Sequence, residues 1–176
     1  TKICGPLLKG LRKRVRIPGL LVIDTPGHEA FVNLRKRGGA VADIAILVID
    51  ILRGFEAQTY ECIDILKARK TPFLVAANKI DRLPGWKSKP DEMFSASYRN
   101  QDPYVRQDLD EHLYTIIGTF SRFGFRADLF DKISDFTKTV AIVPTSAKTG
   151  EGTPELLAVL VGLTQQYLRP SLRVTK

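Results

Sequence analysis

Sulfur and imidazole are scarce in this chain: 176 residues hold two cysteines, one methionine and two histidines. Cys4 and Cys62 lie far apart, with neither the paired spacing of a zinc site nor the density of a disulfide scaffold. That excludes a stapled small fold and makes a reducing cytoplasm the expected setting. Long apolar runs are missing as well. Ile44 to Ile49 is among the longest, far short of the roughly 20 residues a membrane helix needs, and the first residues lack a signal-peptide pattern. No membrane role is expected. No carboxylate precedes Asp24, whereas Lys2, Lys9, Arg12, Lys13, Arg14 and Arg16 all do, and Arg35, Lys36 and Arg37 follow soon after. The chain contains no internal repeat and no low-complexity tract.

What is present suits one domain over residues 1–176. A hydrophobic content of 44% is enough for a substantial core at this length. The net charge of +8 favours an anionic partner, such as a nucleotide or a nucleic acid. Four short unbroken apolar runs each end at a polar residue or a proline: Leu20–Ile23 before Asp24, Ile44–Ile49 before Asp50, Phe73–Ala77 before Asn78, and Val140–Val143 before Pro144. Unbroken Val, Ile and Leu stretches are the mark of parallel strands buried on both faces. All four are expected to be strands.

Helical periodicity fills the intervals. Ile3, Leu7, Leu8 and Leu11 suggest a short basic helix over 2–14, and Ala57, Tyr60, Ile63 and Leu66 an amphipathic crossover helix over 56–69. After a loop containing Pro84, Trp86 and Pro90, the residues Val105, Leu109, Leu113, Ile116, Phe120 and Phe123 share one face of a long helix. Asp102-Pro103 starts it and Gly124 ends it. Leu129, Phe130, Ile133 and Phe136 suggest a second helical piece. A last helix opens at Thr153-Pro154, with Leu156, Leu160, Leu163 and Tyr167 as its stripe. Strands alternating with helices predict a doubly wound α/β fold, whose ligands bind beyond the carboxyl ends of the strands.

Three of those ends carry chemistry. Asp24-Thr25-Pro26-Gly27-His28 offers a carboxylate that can meet Mg²⁺ directly or through water, a glycine whose N–H can approach a terminal phosphate, and an imidazole that can orient water. Asn78-Lys79-Ile80-Asp81 offers a carboxylate able to accept from the two adjacent donors of guanine, a pair adenine lacks. The Lys79 stem can cover the base and Asn78 can tie neighbouring loops together. Ser146-Ala147-Lys148 offers small residues and an Ala147 N–H able to donate to a guanine carbonyl. A glycine-rich dinucleotide turn is absent, which counts against a flavin or nicotinamide protein.

With these three motifs in order after three separate strands, the chain resembles the P-loop GTPases. The resemblance implies a three-layer fold around a mostly parallel sheet. It also implies that Asp24, Thr25, Pro26 and Gly27 form the second switch, that Asn78, Lys79 and Asp81 read guanine, and that Ser146, Ala147 and Lys148 support the base. The stretch His28-Glu-Ala-Phe-Val-Asn-Leu-Arg-Lys-Arg-Gly-Gly39 narrows the resemblance to translational GTPases of the archaeal and eukaryotic initiation factor 5B family, as do Gly85-Trp86 and Gln165-Gln166-Tyr167-Leu168-Arg169.

That family implies GTP and GDP as ligands with Mg²⁺ held by Asp24 through water, His28 as the catalytic residue, and GTP hydrolysis stimulated by large-subunit ribosomal RNA during subunit joining. It further implies a monomeric cytoplasmic factor that meets initiator tRNA through domains outside these residues.

The chain departs from the family at its start. Gly5 and Gly10 have the spacing of a phosphate loop, but Leu11 and Arg12 stand where Lys and Ser/Thr are needed, and a first-switch threonine is not found. The domain is therefore expected to be incomplete at its N-terminus and inactive alone. The competing expectation is a non-catalytic guanine-nucleotide or ribosomal-RNA binding module.

Overall fold

The computed structural model describes residues 19–25 and 42–167. The order of elements is β1 (Ala45–Asp50), α1 (Ala57–Arg69), β2 (Phe73–Asn78), a 3₁₀ turn (Ile80–Arg82), α2 (Phe94–Arg99), α3 (Pro103–Arg122), β3 (Ala127–Leu129), β4 (Val140–Pro144) and α4 (Thr153–Tyr167). The expected basic helix over 2–14 lies outside the described residues.

The described strands form one parallel sheet in the order β1-β2-β4-β3. Alternation along the strands divides the core in two, because successive side chains leave opposite faces of a sheet. Phe73, Val75 and Ala77 join Leu47, Ile49 and Ile142 against α1 and α3, whereas Leu74 and Ala141 meet Leu160 and Leu163 of α4. Helices thus cover both faces, giving the expected three-layer α/β architecture.

The long helix α3 follows its expected pattern closely. Val105, Leu109, Leu113, Ile116 and Phe120 are buried to within 1% of complete, Asp102 stands extended before Pro103, and Gly124 turns the chain at φ 81°. In α1 the buried line differs from the one expected: Thr59, Ile63 and Leu66 face the core, while Ala57 and Tyr60 are exposed. Residues three apart are separated by about 300° around a helix, so nine residues of strict three-spacing end about half a turn away. Only the C-terminal half of that stripe can stay inward.

Three further expectations are corrected. Leu20–Ile23 is not a buried strand: it pairs with none of the described strands, and Leu21 and Val22 are 89% and 80% exposed. An apolar run does not contain its own hydrogen-bonding partner, and without a neighbouring edge it gains neither ladder nor cover. On β1, Leu47 and Ile49 are buried but Ile46 and Val48 are exposed, so one face rather than two is covered.

The segment after α3 is a strand instead of a second helix. Ala127 and Leu129 alternate with Asp128 in register with Val140 and Ile142 of β4, and Phe130 N–H continues the ladder to Ile142 C=O at 3.1 Å. Phe130, Ile133 and Phe136 then pack onto the α4 side of the sheet from successive turns.

Candidate nucleotide-binding site

The carboxyl ends of β1, β2 and β4 meet at one rim. Backbone bonds knit them together: Ile51 N–H donates to Asn78 C=O at 2.9 Å, Thr145 N–H to Ala77 C=O at 2.8 Å, and Ile80 N–H to Thr145 C=O at 3.2 Å. Parallel pairing brings β2 and β4 side by side although Asn78 and Val140 stand 62 positions apart in the sequence.

Onto this rim the structure brings both motifs expected at the base. Ser146 Oγ donates to Asp81 Oδ1 at 2.6 Å and Ala147 N–H donates to Asn78 Oδ1 at 2.9 Å. Ser146 is fully buried, whereas Ala147 and Lys148 are exposed. The serine holds one oxygen of the Asp81 carboxylate, and each carboxylate oxygen has further lone pairs for additional donors. Chemically, the arrangement presents an oriented acceptor edge beside an exposed loop, which suits a planar heterocycle carrying adjacent N–H groups. Asn78 ties the two loops together, as expected. The Ala147 N–H, expected to meet a carbonyl of the base, is engaged by Asn78 here.

Lys79 adopts the left-handed backbone region, at φ 72°. Such a conformation in a non-glycine residue costs about 1–3 kcal/mol and is concentrated at functional sites. Its Nζ lies 2.7 Å from Asp50 Oδ2, so the stem runs back across the rim toward β1. Burial pushes the Asp50 carboxyl up, but the Lys79 hydrogen bond and the amides of Leu52 and Arg53 outweigh it and leave the carboxyl below its ordinary value. Asp50 was legible only as a polar strand end.

The first motif is divided. Asp24 is exposed and Thr25 half-buried at the end of the 19–25 segment, and Pro26, Gly27 and His28 lie outside the described residues. Among the described residues no group of three or more His, Cys, Asp or Glu side chains is placed to hold a metal ion. A magnesium ion that keeps most of its water and meets one carboxylate does not require such a cluster, so Asp24 remains compatible with that role.

Sequence reasoning passed over Glu151. It is completely buried between two glycines in the left-handed region, Gly150 at φ 82° and Gly152 at φ 74°. A Cβ at Gly150 would collide with Asp91 Oδ1, and one at Gly152 with Pro144 O. A charged residue bracketed by two glycines was the available signal. The segment between Leu83 and Gln101, expected as a loop, contains α2 and packs Trp86 and Phe94 into the core.

Comparison with known proteins places the chain among relatives of consistent kind. Residues 12–166 match the family of the elongation factor Tu GTP binding domain. The chain is 58% identical over 173 residues to the probable translation initiation factor IF-2 of Methanopyrus kandleri, and 59% identical over 172 residues to that of Aeropyrum pernix. Each alignment covers 98% of this chain but only 29% and 28% of the relative, so the chain spans under a third of those proteins. The crystal structure of GDP-bound aIF5B from Aeropyrum pernix superposes with a TM-score of 0.89 at 58% identity, over 99% of this chain and 29% of that one.

Proposed function

The chain belongs to the family of elongation-factor-Tu-type GTP-binding domains, and on that premise we propose that it forms the guanine-nucleotide-binding part of a GTP-hydrolysing translation initiation factor of the IF-2 kind. The observation that carries this reading is the 2.6 Å bond from Ser146 to Asp81, which fixes an acceptor carboxylate at the strand-end rim where α/β sheets bind ligands. Asp81 accepts from the ring N–H and the exocyclic amine of guanine. Asn78 and Ser146 hold the loops that frame the base, the Lys79 stem covers one face, and Ala147 and Lys148 close the other side of the pocket.

Asp24, Thr25, Pro26 and Gly27 act at the phosphates. Gly27 brings a backbone N–H to the terminal phosphate, and Asp24 meets Mg²⁺ through water. The metal, when bound with GTP, neutralises charge on the phosphates. His28 orients the attacking water, and large-subunit ribosomal RNA completes the site and stimulates hydrolysis as the subunits join. The factor acts as a cytoplasmic monomer, with initiator tRNA reached through other parts of the full-length protein.

The test is the base itself. Asp81→Asn is expected to weaken GDP binding by about a hundredfold, because a half-buried acceptor becomes a donor facing donors, and to shift preference toward xanthosine diphosphate. Competitive titration with the two nucleotides checks it. Equal affinity of the unmodified protein for GTP and ATP would overturn the assignment.

A further inference from the structure

The segment between Leu83 and Gln101 carries none of the residues assigned to the base, yet it grips the loop that does. Asp91 N–H donates to Thr149 C=O at 2.8 Å, and Gly152 N–H to Glu92 C=O at 3.1 Å. Between these clamps sits Glu151, wholly buried. Its Oε1 accepts from Ser97 Oγ at 2.8 Å, Lys89 N–H at 3.1 Å and Trp86 Nε1–H at 3.3 Å, and its Oε2 accepts from Thr149 Oγ at 2.6 Å.

Burying a carboxylate is costly unless donors surround it, and a carboxylate can only accept. All four donors are therefore obliged to point inward, which commits the Thr149 hydroxyl to Glu151. The Thr149 amide donates to Ser146 Oγ at 3.2 Å. With one lone pair engaged by that amide, the Ser146 hydroxyl proton is directed to Asp81 Oδ1. Thr149 thus joins Glu151, through its hydroxyl, to Ser146, through its amide, and Ser146 in turn holds Asp81.

We propose that Glu151 is a positioning residue for base recognition, which through Thr149 and Ser146 holds the Asp81 carboxylate in the plane of guanine's donor edge and so couples guanine selectivity to the 83–101 segment. The inference rests on the reading of Asp81 as guanine's partner. Glu151 does not touch the nucleotide. Its effect is on the ratio between guanine and a base that lacks one of the two donors, not simply on the stability of the fold.

The experiment compares GDP with inosine diphosphate, which lacks the exocyclic amine, on the full-length protein and on its Glu151→Gln and Thr149→Val variants, with melting temperatures recorded alongside. Thr149→Val leaves the carboxylate its three donors on Oε1 and the amide bond to Ser146, and removes only the hydroxyl bond between residue 149 and Glu151, so it decides the matter if Glu151→Gln does not fold. The expected result is a fall of about three- to tenfold in the GDP-to-IDP affinity ratio for each variant that folds, with GDP affected more than IDP. A wild-type ratio in the variants, even with lowered melting temperatures, would overturn the proposal and leave the base reading intact. Absence of discrimination in the unmodified protein would instead remove the reading of Asp81, and this proposal with it.

Discussion

Tyr98 shows how a single side chain off the rim reports its surroundings. Its hydroxyl donates to Asp110 Oδ2 at 2.8 Å, and the Arg106 guanidinium lies 6.0 Å from its ring. Burial first, then the Asp110 bond, raise the phenol from its ordinary 10.0 to about 12. A phenol raised on folding favours the protonated form. Its contribution to stability is therefore complete below the ordinary value and disappears as pH climbs through about 12. Burial, then the Asp135 charge, also raises the Tyr167 phenol. Spectrophotometric titration should therefore show a late-ionising component at about pH 12 that Tyr98→Phe removes while that of Tyr167 stays, and the wild type should lose stability relative to that variant across the same alkaline window. At this scale the sequence marks a residue that stands within a local motif and passes over one whose partners are distant. Asp81 and Ser146 could be named from their motifs, but the buried role of Glu151 depends on donors 54 to 65 residues away.

Among the elements, α3 is the one whose burial follows most directly from its pattern. Phe120 sits at its C-terminal end, edge-on to Phe55 at 5.1 Å and near Phe73 and Phe125 at 6.1 and 6.5 Å. One ring thus joins the loop before α1, strand β2 and the approach to β3. Phe120→Ala is expected to cost about 3–5 kcal/mol, since it removes a fully buried ring and leaves a cavity among three others. Urea denaturation of the variant checks this, and a cost under about 1 kcal/mol would mean that the aromatic cluster refills the space. Helices with a single inward face are legible because the 3.6-residue period records that face. The short elements were not. β3 holds three residues, and α2 holds six inside a proline-bearing stretch, so neither spans enough periods to declare itself.

For the whole molecule, the proposed function makes hydrolysis depend on a partner outside the chain. If ribosomal RNA finishes the catalytic site, His28→Ala in the full-length protein should lower ribosome-stimulated phosphate release by about a hundredfold or more. On the proposed role, in which His28 acts on water and not on the base, GDP affinity should be unchanged. Release measured with and without ribosomes, beside a GDP titration, separates the two effects, and unchanged stimulated turnover would take His28 out of the mechanism.

The chain's own order of residues determined three things here: the α/β class, from apolar runs alternating with helical periodicity; the rim as the candidate site, from polar residues ending those runs; and the kinship with translational GTPases, from motifs legible without any contact. Only the tertiary structure decided which runs share a sheet, that β1 is covered on one face, that Leu20–Ile23 joins none of the described strands, and that Glu151 lies at the centre of a bond network behind the 146–148 loop. The reason is physical. Periodicity and turn chemistry are properties of neighbours along the chain, whereas strand pairing and the cost of a buried charge depend on groups that only folding brings together.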